Sequence, residues 1–294
     1  MFIFGLISGI LSILTFHMKK TRNVGCGFYL FISSWNSMLI LIILIIKFWQ
    51  LILSQMFILN NRSILYMNCL ILDLIIQVCL TFNDYLYGCV SIERVLTVHK
   101  GINFNKIKSK QIAKWISLCI FILIMLTHIH DPIHRHLIDD IDIDEQRIWC
   151  VVQYSSSIHI YNSFITLFHF LVPLLINIIS TIYIIISMAR TRLTIQPRLT
   201  FKEHLQLQLK KHQSHLIALC TLVFLALPRL IISFISGCMK SPNHSWLFLS
   251  SYLFAFLPSM ITFIIFVLPS KMYKKQFNTV LDQTVRRLRT IYRR

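Results

Sequence analysis

Long apolar runs separated by short polar stretches dominate this chain, at or near the ~18 residues that read as membrane spans. They number seven. The first runs from about Met1 to Phe16 and stops at the basic stretch HMKKTRN. The second covers roughly Cys26–Leu53, with Lys47 inside it, and the third about Ile64–Ile92. The fourth is Ile112–Leu126, the fifth Ile158–Met188, the sixth about Leu216–Cys238 and the seventh Trp246–Leu268. The first is short: sixteen residues at 1.5 Å each give ~24 Å of helix against a ~30 Å hydrocarbon core. Either it stands in thin membrane or the true start lies upstream, and the second is the expectation.

Composition strengthens this pattern. The chain is 56% hydrophobic and 14% charged, whereas soluble domains carry about 25% charged residues. The expected fold is therefore an all-α membrane protein, a seven-transmembrane helix bundle over 1–268 followed by a basic tail, 269–294. A formal net charge of +18 would point to nucleic acid in a soluble protein. Here the bases follow the spans, and no nucleic-acid partner is expected. With the N-terminus outside, the inner segments 17–25, 94–114, 189–212 and 269–294 hold 23 of the 29 Lys and Arg residues. By the positive-inside rule the C-terminus is then cytoplasmic.

Two glycosylation acceptors, Asn61-Arg62-Ser63 and Asn243-His244-Ser245, fall in loops assigned outside by that count. Six of the eleven acids (Asp131, Asp139, Asp140, Asp142, Asp144 and Glu145) lie in the outer loop between spans four and five. They are either a solvated loop or an electronegative mouth that concentrates cations. Of the eight cysteines, Cys69 and Cys150 face the oxidising side, where disulfides persist; Cys238 is a third candidate there.

The adjacent acid and base in YLYGCVSIERVLTVHK need explanation, because Arg94 at the end of an apolar span requires a partner. Cys69 and Arg94 are 25 residues apart in one helix, and SIERV resembles the Asp/Glu-Arg-Tyr motif of rhodopsin-like G-protein-coupled receptors. The loop cysteine Cys150, Trp115 in AKWISL, Pro173 in FLVPLL and Pro228 in LALPRL follow the same order and spacing. SKMYKKQF looks like the short membrane-surface helix of that family. GILSILTF, YLFISS and PRLI look most like invertebrate peptide receptors of the FMRFamide type.

The resemblance implies a Cys69–Cys150 disulfide, an extracellular peptide or small cationic ligand, and a heterotrimeric G protein as partner. It implies no cofactor. Glu93 would hold Arg94 while the bundle is closed and release its planar donor fork to an inserted partner helix when span six swings out. Asp73, Ile76, Gln77 and Leu80, on one face of span three, would line the ligand pocket, with Asp73 and Gln77 as its polar groups; a solvated Asp73 is the alternative.

Several positions depart from the family pattern. Ser37, next to Asn36, stands where the family has the span-two Asp of a sodium and water network. Gly9 replaces the span-one Asn, Ala226 the span-six Trp, and Thr262–Phe266 the Asn-Pro-x-x-Tyr motif. Pro258 is then the candidate for the span-seven kink, beside Pro173 and Pro228. At the inner end of span six stand Gln208, Lys210 and Lys211, with Glu203 further off, so no acid there faces Arg94. Asp84, beside Asn83 and ~22 Å below Cys69, is expected to face inward and bond Asn36, Ser37 or Asn177.

HIHDPIHRH offers four histidines and an acid, but Pro132 keeps them off one helical face, so no metal site is expected. No phosphate loop, nucleophile elbow or kinase signature appears; an enzyme is not expected. In the tail, Phe277, Leu281, Val285, Leu288 and Tyr292 form one stripe with arginines opposite, suiting an anionic inner leaflet. Two rival readings are a seven-span protein that does not signal and a transporter or channel. The lost motifs favour the first; scattered ionisable residues and no internal repeat weigh against the second.

Overall fold

The computed structural model describes residues 2–55, 61–140, 147–195, 256–268 and 270–292, together with Phe224, Leu227 and Ile231. It is mostly helical. The helices are α1 (Phe2–His17), α2 (Lys19–Arg22), α3 (Gly25–Gln55), α4 (Arg62–Lys100), α5 (Lys106–His128), α6 (His130–Ile133) and α7 (Ser156–Ile195). They are followed by α8 (Thr262–Phe266), which continues a helical turn at 256–260, and α9 (Lys271–Tyr292). Among the described residues four helical stretches, carried by α3, α4, α5 with α6, and α7, are long and apolar enough to cross a membrane, and α1 is a shorter apolar helix. Of the sixth span, only Phe224, Leu227 and Ile231 are described, and they are helical; Ala226, Pro228, Cys238, Asn243 and the Gln208–Lys211 region lie outside the described residues.

Local chemistry explains the ends. The Asn61 side chain caps α4 by accepting from Ser63 N at 3.1 Å, and Asn105 caps α5 by accepting from Ile107 N and Lys108 N, each at 3.1 Å. Gly101, at φ +50°, stops α4 in a conformation that side chains resist. The helix therefore runs straight through Glu93 and Arg94, two turns beyond the predicted end of the span.

α4 is the central element, packing on α3, α5 and α7, while α1 packs on α3, α8 and α9. In lipid, apolar side chains gain little by meeting each other, so close packing relies on small residues. α1 buries Gly5, Ser8, Gly9, Ser12 and Thr15. A Cβ added to Gly9 would sit 2.1 Å from Met38 Sδ: where a polar Asn was the family pattern, this chain brings two helices together. Outward, α5 and α7 expose large apolar side chains, among them Trp115, Leu123, Phe164 and Ile179, as helices solvated by hydrocarbon do.

One element corrects the all-helical expectation. The acidic segment between α6 and α7 forms a two-stranded antiparallel hairpin, β1 (Arg135–Asp140) and β2 (Arg147–Val152), with Leu137 opposite Cys150. Residues 141–146 at its tip lie outside the described residues, and so do the side chains of Asp139 and Asp140.

Candidate functional site

Cys69 opens the buried face of α4 and Arg94 lies 25 residues further along the same helix, ~37 Å at 1.5 Å per residue. That exceeds the ~30 Å hydrocarbon core, so the two residues belong to opposite ends of the bundle. Each end, and the layer between, has its own polar chemistry.

At the first end Cys69 and Cys150 form a disulfide, with Cα atoms 5.8 Å apart. It ties β2 to α4 and brings Arg135 on β1 over Asp73. Arg135 Nη1 donates to Asp73 Oδ2 at 2.5 Å, while its Nε and Nη2 donate to Asp131 Oδ2 at 2.8 and 2.6 Å. Lys47 pairs with the other Asp73 oxygen. Asp131 also accepts from the Tyr154 hydroxyl; burial, then this carboxylate, push the Tyr154 phenol above its ordinary range. The result is a chain of charges, Lys47–Asp73–Arg135–Asp131, whose side chains are 24, 19, 11 and 4% exposed.

This geometry changes two sequence expectations. Asp73 is not a solvated acid, since Lys47 and Arg135 both hold its carboxylate. Ile76 and Leu80, expected along the pocket, are buried in an apolar cluster with Ile40, Leu41, Leu44, Phe256 and Met260, because that face of α4 turns toward α3. Gln77 is half-buried.

The histidines of the same end scatter. His169 on α7 meets the Tyr85 hydroxyl at 3.1 Å and Thr127 Oγ1 at 2.9 Å, and His130 meets the Thr127 carbonyl at 2.9 Å and Asn162 Oδ1 at 3.3 Å. Among the described residues no group of three His, Cys, Asp or Glu could hold a metal ion.

The middle layer is built largely from amides and hydroxyls. Asn36 Nδ2 donates to the Cys79 carbonyl at 2.7 Å and Asn83 Nδ2 to Ser37 Oγ at 3.0 Å. The Tyr87 hydroxyl lies 3.4 Å from Thr262 Oγ1 and beside Ser33 and Ser37. Asp84 is half-buried and lies near Tyr85 and Tyr87. Asn83 holds Ser37, and Asn177 pairs with Ser91 at 2.5 Å and with the Pro173 carbonyl at 2.9 Å. Consecutive helix positions differ by about 100°, so when Asn83 points at α3 its neighbour cannot. The family resemblance brings a sodium and water network to this layer; the groups here are amide, hydroxyl and phenol, with the Asp84 carboxylate near Tyr87.

Pro173 lies inside α7, where its missing N–H costs a helical hydrogen bond. Pro258 precedes an irregular residue, Ile261, between 256–260 and α8; Thr262 Oγ1 donates across it toward the Pro258 and Ser259 carbonyls at 3.3 and 3.1 Å. The break in this helix thus falls one turn after Pro258.

At the second end Glu93 and Arg94 part company. The Glu93 carboxylate is buried and accepts from Ser109 Oγ on α5. Its Oε2 lies against Gly25, where a Cβ would fall 2.5 Å from it. Gly25 N in turn donates to Ser109 Oγ at 3.2 Å. Arg94 lies beside Cys26 and Tyr273, whose Sγ and Oη atoms are 3.6 Å apart. The expected Glu93–Arg94 pair is not formed, because the two side chains leave the helix toward different neighbours. Tyr273 stands in α9 and its ring packs edge-on against Phe16 at 5.2 Å; burial holds its phenol well above the ordinary range. Beside it Thr21 donates to Gln276, and Phe277 packs edge-on on Phe263 at 5.1 Å.

Sequence reasoning missed Lys47, Arg135, Ser109, Cys26 and Tyr273. Of these, only Lys47 carried a signal, as a charge inside an apolar run.

Residues 10–266 match the protein family described as 7 transmembrane receptor (rhodopsin family). No curated protein matches the chain.

Proposed function

Because the chain belongs to the rhodopsin family of seven-transmembrane receptors, we propose that it is a plasma-membrane receptor that binds an extracellular peptide and activates a heterotrimeric G protein. One observation carries this reading: a match over most of the chain, within which Cys69, disulfide-bonded, and Arg94 occupy opposite ends of a single helix. Receptors of this family signal without catalysing a reaction, and this chain is an integral membrane protein.

The N-terminus is outside and the C-terminus cytoplasmic. The basic segments 17–25, 94–114 and 189–212 face the G protein, with Arg94 as the central donor. Asn61 and Asn243 carry glycans; the exposed Asn61 keeps its Oδ1 cap on α4 when its amide nitrogen is modified. Asp73 and Gln77 meet the ligand, and a cationic ligand group competes with Lys47 and Arg135 for Asp73. The basic tail 269–294 follows the bundle at 1–268 and packs on it through Tyr273, Gln276 and Phe277; further along its apolar stripe Leu281 is 48% exposed, which suits an anionic inner leaflet.

A second reading, a seven-span protein that does not signal, draws on Ser37 in place of the span-two Asp and on Thr262–Phe266 in place of Asn-Pro-x-x-Tyr. The separating experiment is G-protein activation in cells expressing the chain, challenged with amidated peptides and amines, against Arg94→Ala at matched surface expression. A response lost in the variant supports the receptor. A response that survives the variant removes Arg94 from the mechanism.

A further inference from the structure

At the disulfide end one guanidinium is shared by two carboxylates. Arg135 Nη1 donates to Asp73 Oδ2 at 2.5 Å, and its Nε and Nη2 donate to Asp131 Oδ2 at 2.8 and 2.6 Å. All three nitrogens of the plane are used, on acceptors carried by α4 and α6. An ammonium is a point charge without this fork and cannot match both acceptors in the same way. The acceptors are themselves held. The Tyr154 hydroxyl donates to Oδ1 of Asp131, and Lys47 pairs with Oδ1 of Asp73, which leaves Oδ2 of each turned to the guanidinium.

The occupant comes from a different element, the hairpin. Arg135 opens β1 and pairs with Val152, two residues beyond Cys150, and the disulfide fixes Cys150 to Cys69, one turn before Asp73 on α4. The backbone here is therefore fastened, while the side chain that fills the slot is long and jointed. Charge adds a second constraint. Lys47, Asp73, Arg135 and Asp131 balance, and without Arg135 the remaining two acids and one base carry a net charge of −1. The vacated place asks for one cation, and its geometry asks for a planar one. It opens toward Asp73 and Lys47, the more exposed of the four side chains.

We propose that Asp73 and Asp131 form a guanidinium site in which Arg135 is the resident occupant, and that a ligand bearing a guanidinium, such as the arginine side chain of a peptide, enters by exchange with it. The proposal rests on the reading of this end as the ligand side. Exchange keeps the charges balanced: one planar cation leaves as another enters, so neither carboxylate stays bare in a partly buried site. Arg135 swings on its own stem while the disulfide keeps the strand in place. The resident arginine is also a filter, because a ligand ammonium brings fewer matched donors to the place it vacates.

The test uses the purified full chain, the variant Arg135→Ala and methylguanidinium as the probe, read by thermal unfolding. Arg135→Ala is expected to lower the melting temperature, and methylguanidinium to restore it in a saturable way. Methylammonium, of equal charge but not planar, is expected to need a roughly tenfold higher concentration, the equivalent of one charge-assisted hydrogen bond. Wild-type protein, whose site is filled, is expected to show no shift at the concentrations that rescue the variant. Adding Asp73→Asn to Arg135→Ala is expected to raise the rescuing concentration by a similar factor. Arg135→Gln, which keeps most of the stem, carries the same measurement where Arg135→Ala yields no folded protein. Equal rescue by the two cations, an equal shift in wild type, or no saturable shift in either variant overturns the site. In cells, a peptide that activates the chain is expected to gain potency in Arg135→Ala and to lose it when the peptide's arginine is replaced by lysine. Potency that falls in Arg135→Ala and ignores the arginine overturns the exchange. Rescue of the purified variant with no G-protein response to any peptide supports the site and counts against the receptor reading.

Discussion

The two ends of the bundle each place charged groups beside an apolar interior, and they satisfy them by opposite means. Around the disulfide, charge meets charge: Lys47, Asp73, Arg135 and Asp131 alternate in sign, and Cys69–Cys150 staples the hairpin that carries Arg135. At the other end the charges are kept apart, Glu93 against a serine hydroxyl and Arg94 against a thiol and a phenol. Covalent and ionic ties make the first end a fixed cap. At the second end the Glu93 carboxylate turns to α5 while Arg94 lies beside the start of α3 and the first turn of α9.

The comparison breaks first at the disulfide. Closing a loop of 81 residues stabilises by about 4 kcal/mol in the chain-entropy account, so Cys69→Ser or Cys150→Ser should show the largest loss of surface expression and thermal stability. Asp73→Asn comes next. It leaves Lys47 and Arg135 facing a neutral amide, and for partly exposed charges the expected cost is about 2 kcal/mol. Thermal unfolding of the purified protein measures it, and Lys47→Met in the same chain should recover part of the loss. If Asp73→Asn proves neutral, the cap is not held by its ion pairs.

The second end is probed more gently. A Cβ on Gly27 would fall 2.0 Å from the Thr21 carbonyl oxygen, a backbone atom that cannot step aside, whereas on Gly9 it meets the flexible Met38. Gly27→Ala should therefore cost about 1–2 kcal/mol and Gly9→Ala less than that. Glu93→Gln keeps an oxygen for Ser109 to donate to, so its thermal shift should be under about 1 kcal/mol, well below that of Asp73→Asn. An equal or larger shift would mean that Glu93 carries charge compensation the geometry does not show.

Much of this was legible along the chain. The second, third, fourth and fifth spans appear as α3, α4, α5 and α7 within about two turns of the predicted limits, since hydropathy alone reports which segments avoid water. Asn61, Asn105 and Gly101 mark helix ends by local chemistry. The pairing of Cys69 with Cys150 followed from family resemblance. Less was legible about partners. The acidic segment read as a loop, yet its backbone pairs into a hairpin because the disulfide holds β2 against the bundle while Arg135 anchors β1. The Asn83 amide holds Ser37, a contact that depends on which azimuth of α4 faces α3 and that no local pattern gives away.

Sequence by itself determined that this is a membrane protein of apolar helices, where most described helices begin and end, and which end of the chain's charge distribution is basic. Those properties depend on composition over a turn or a span, which any arrangement of the helices preserves. The tertiary structure decided that Asp73 is shared by Lys47 and Arg135, that Glu93 turns to Ser109, and that Tyr273, 179 positions from Arg94 in sequence, lies at its guanidinium. Each of these turns on the azimuth of a helix and on how closely its neighbours approach, and no local pattern of residues encodes either.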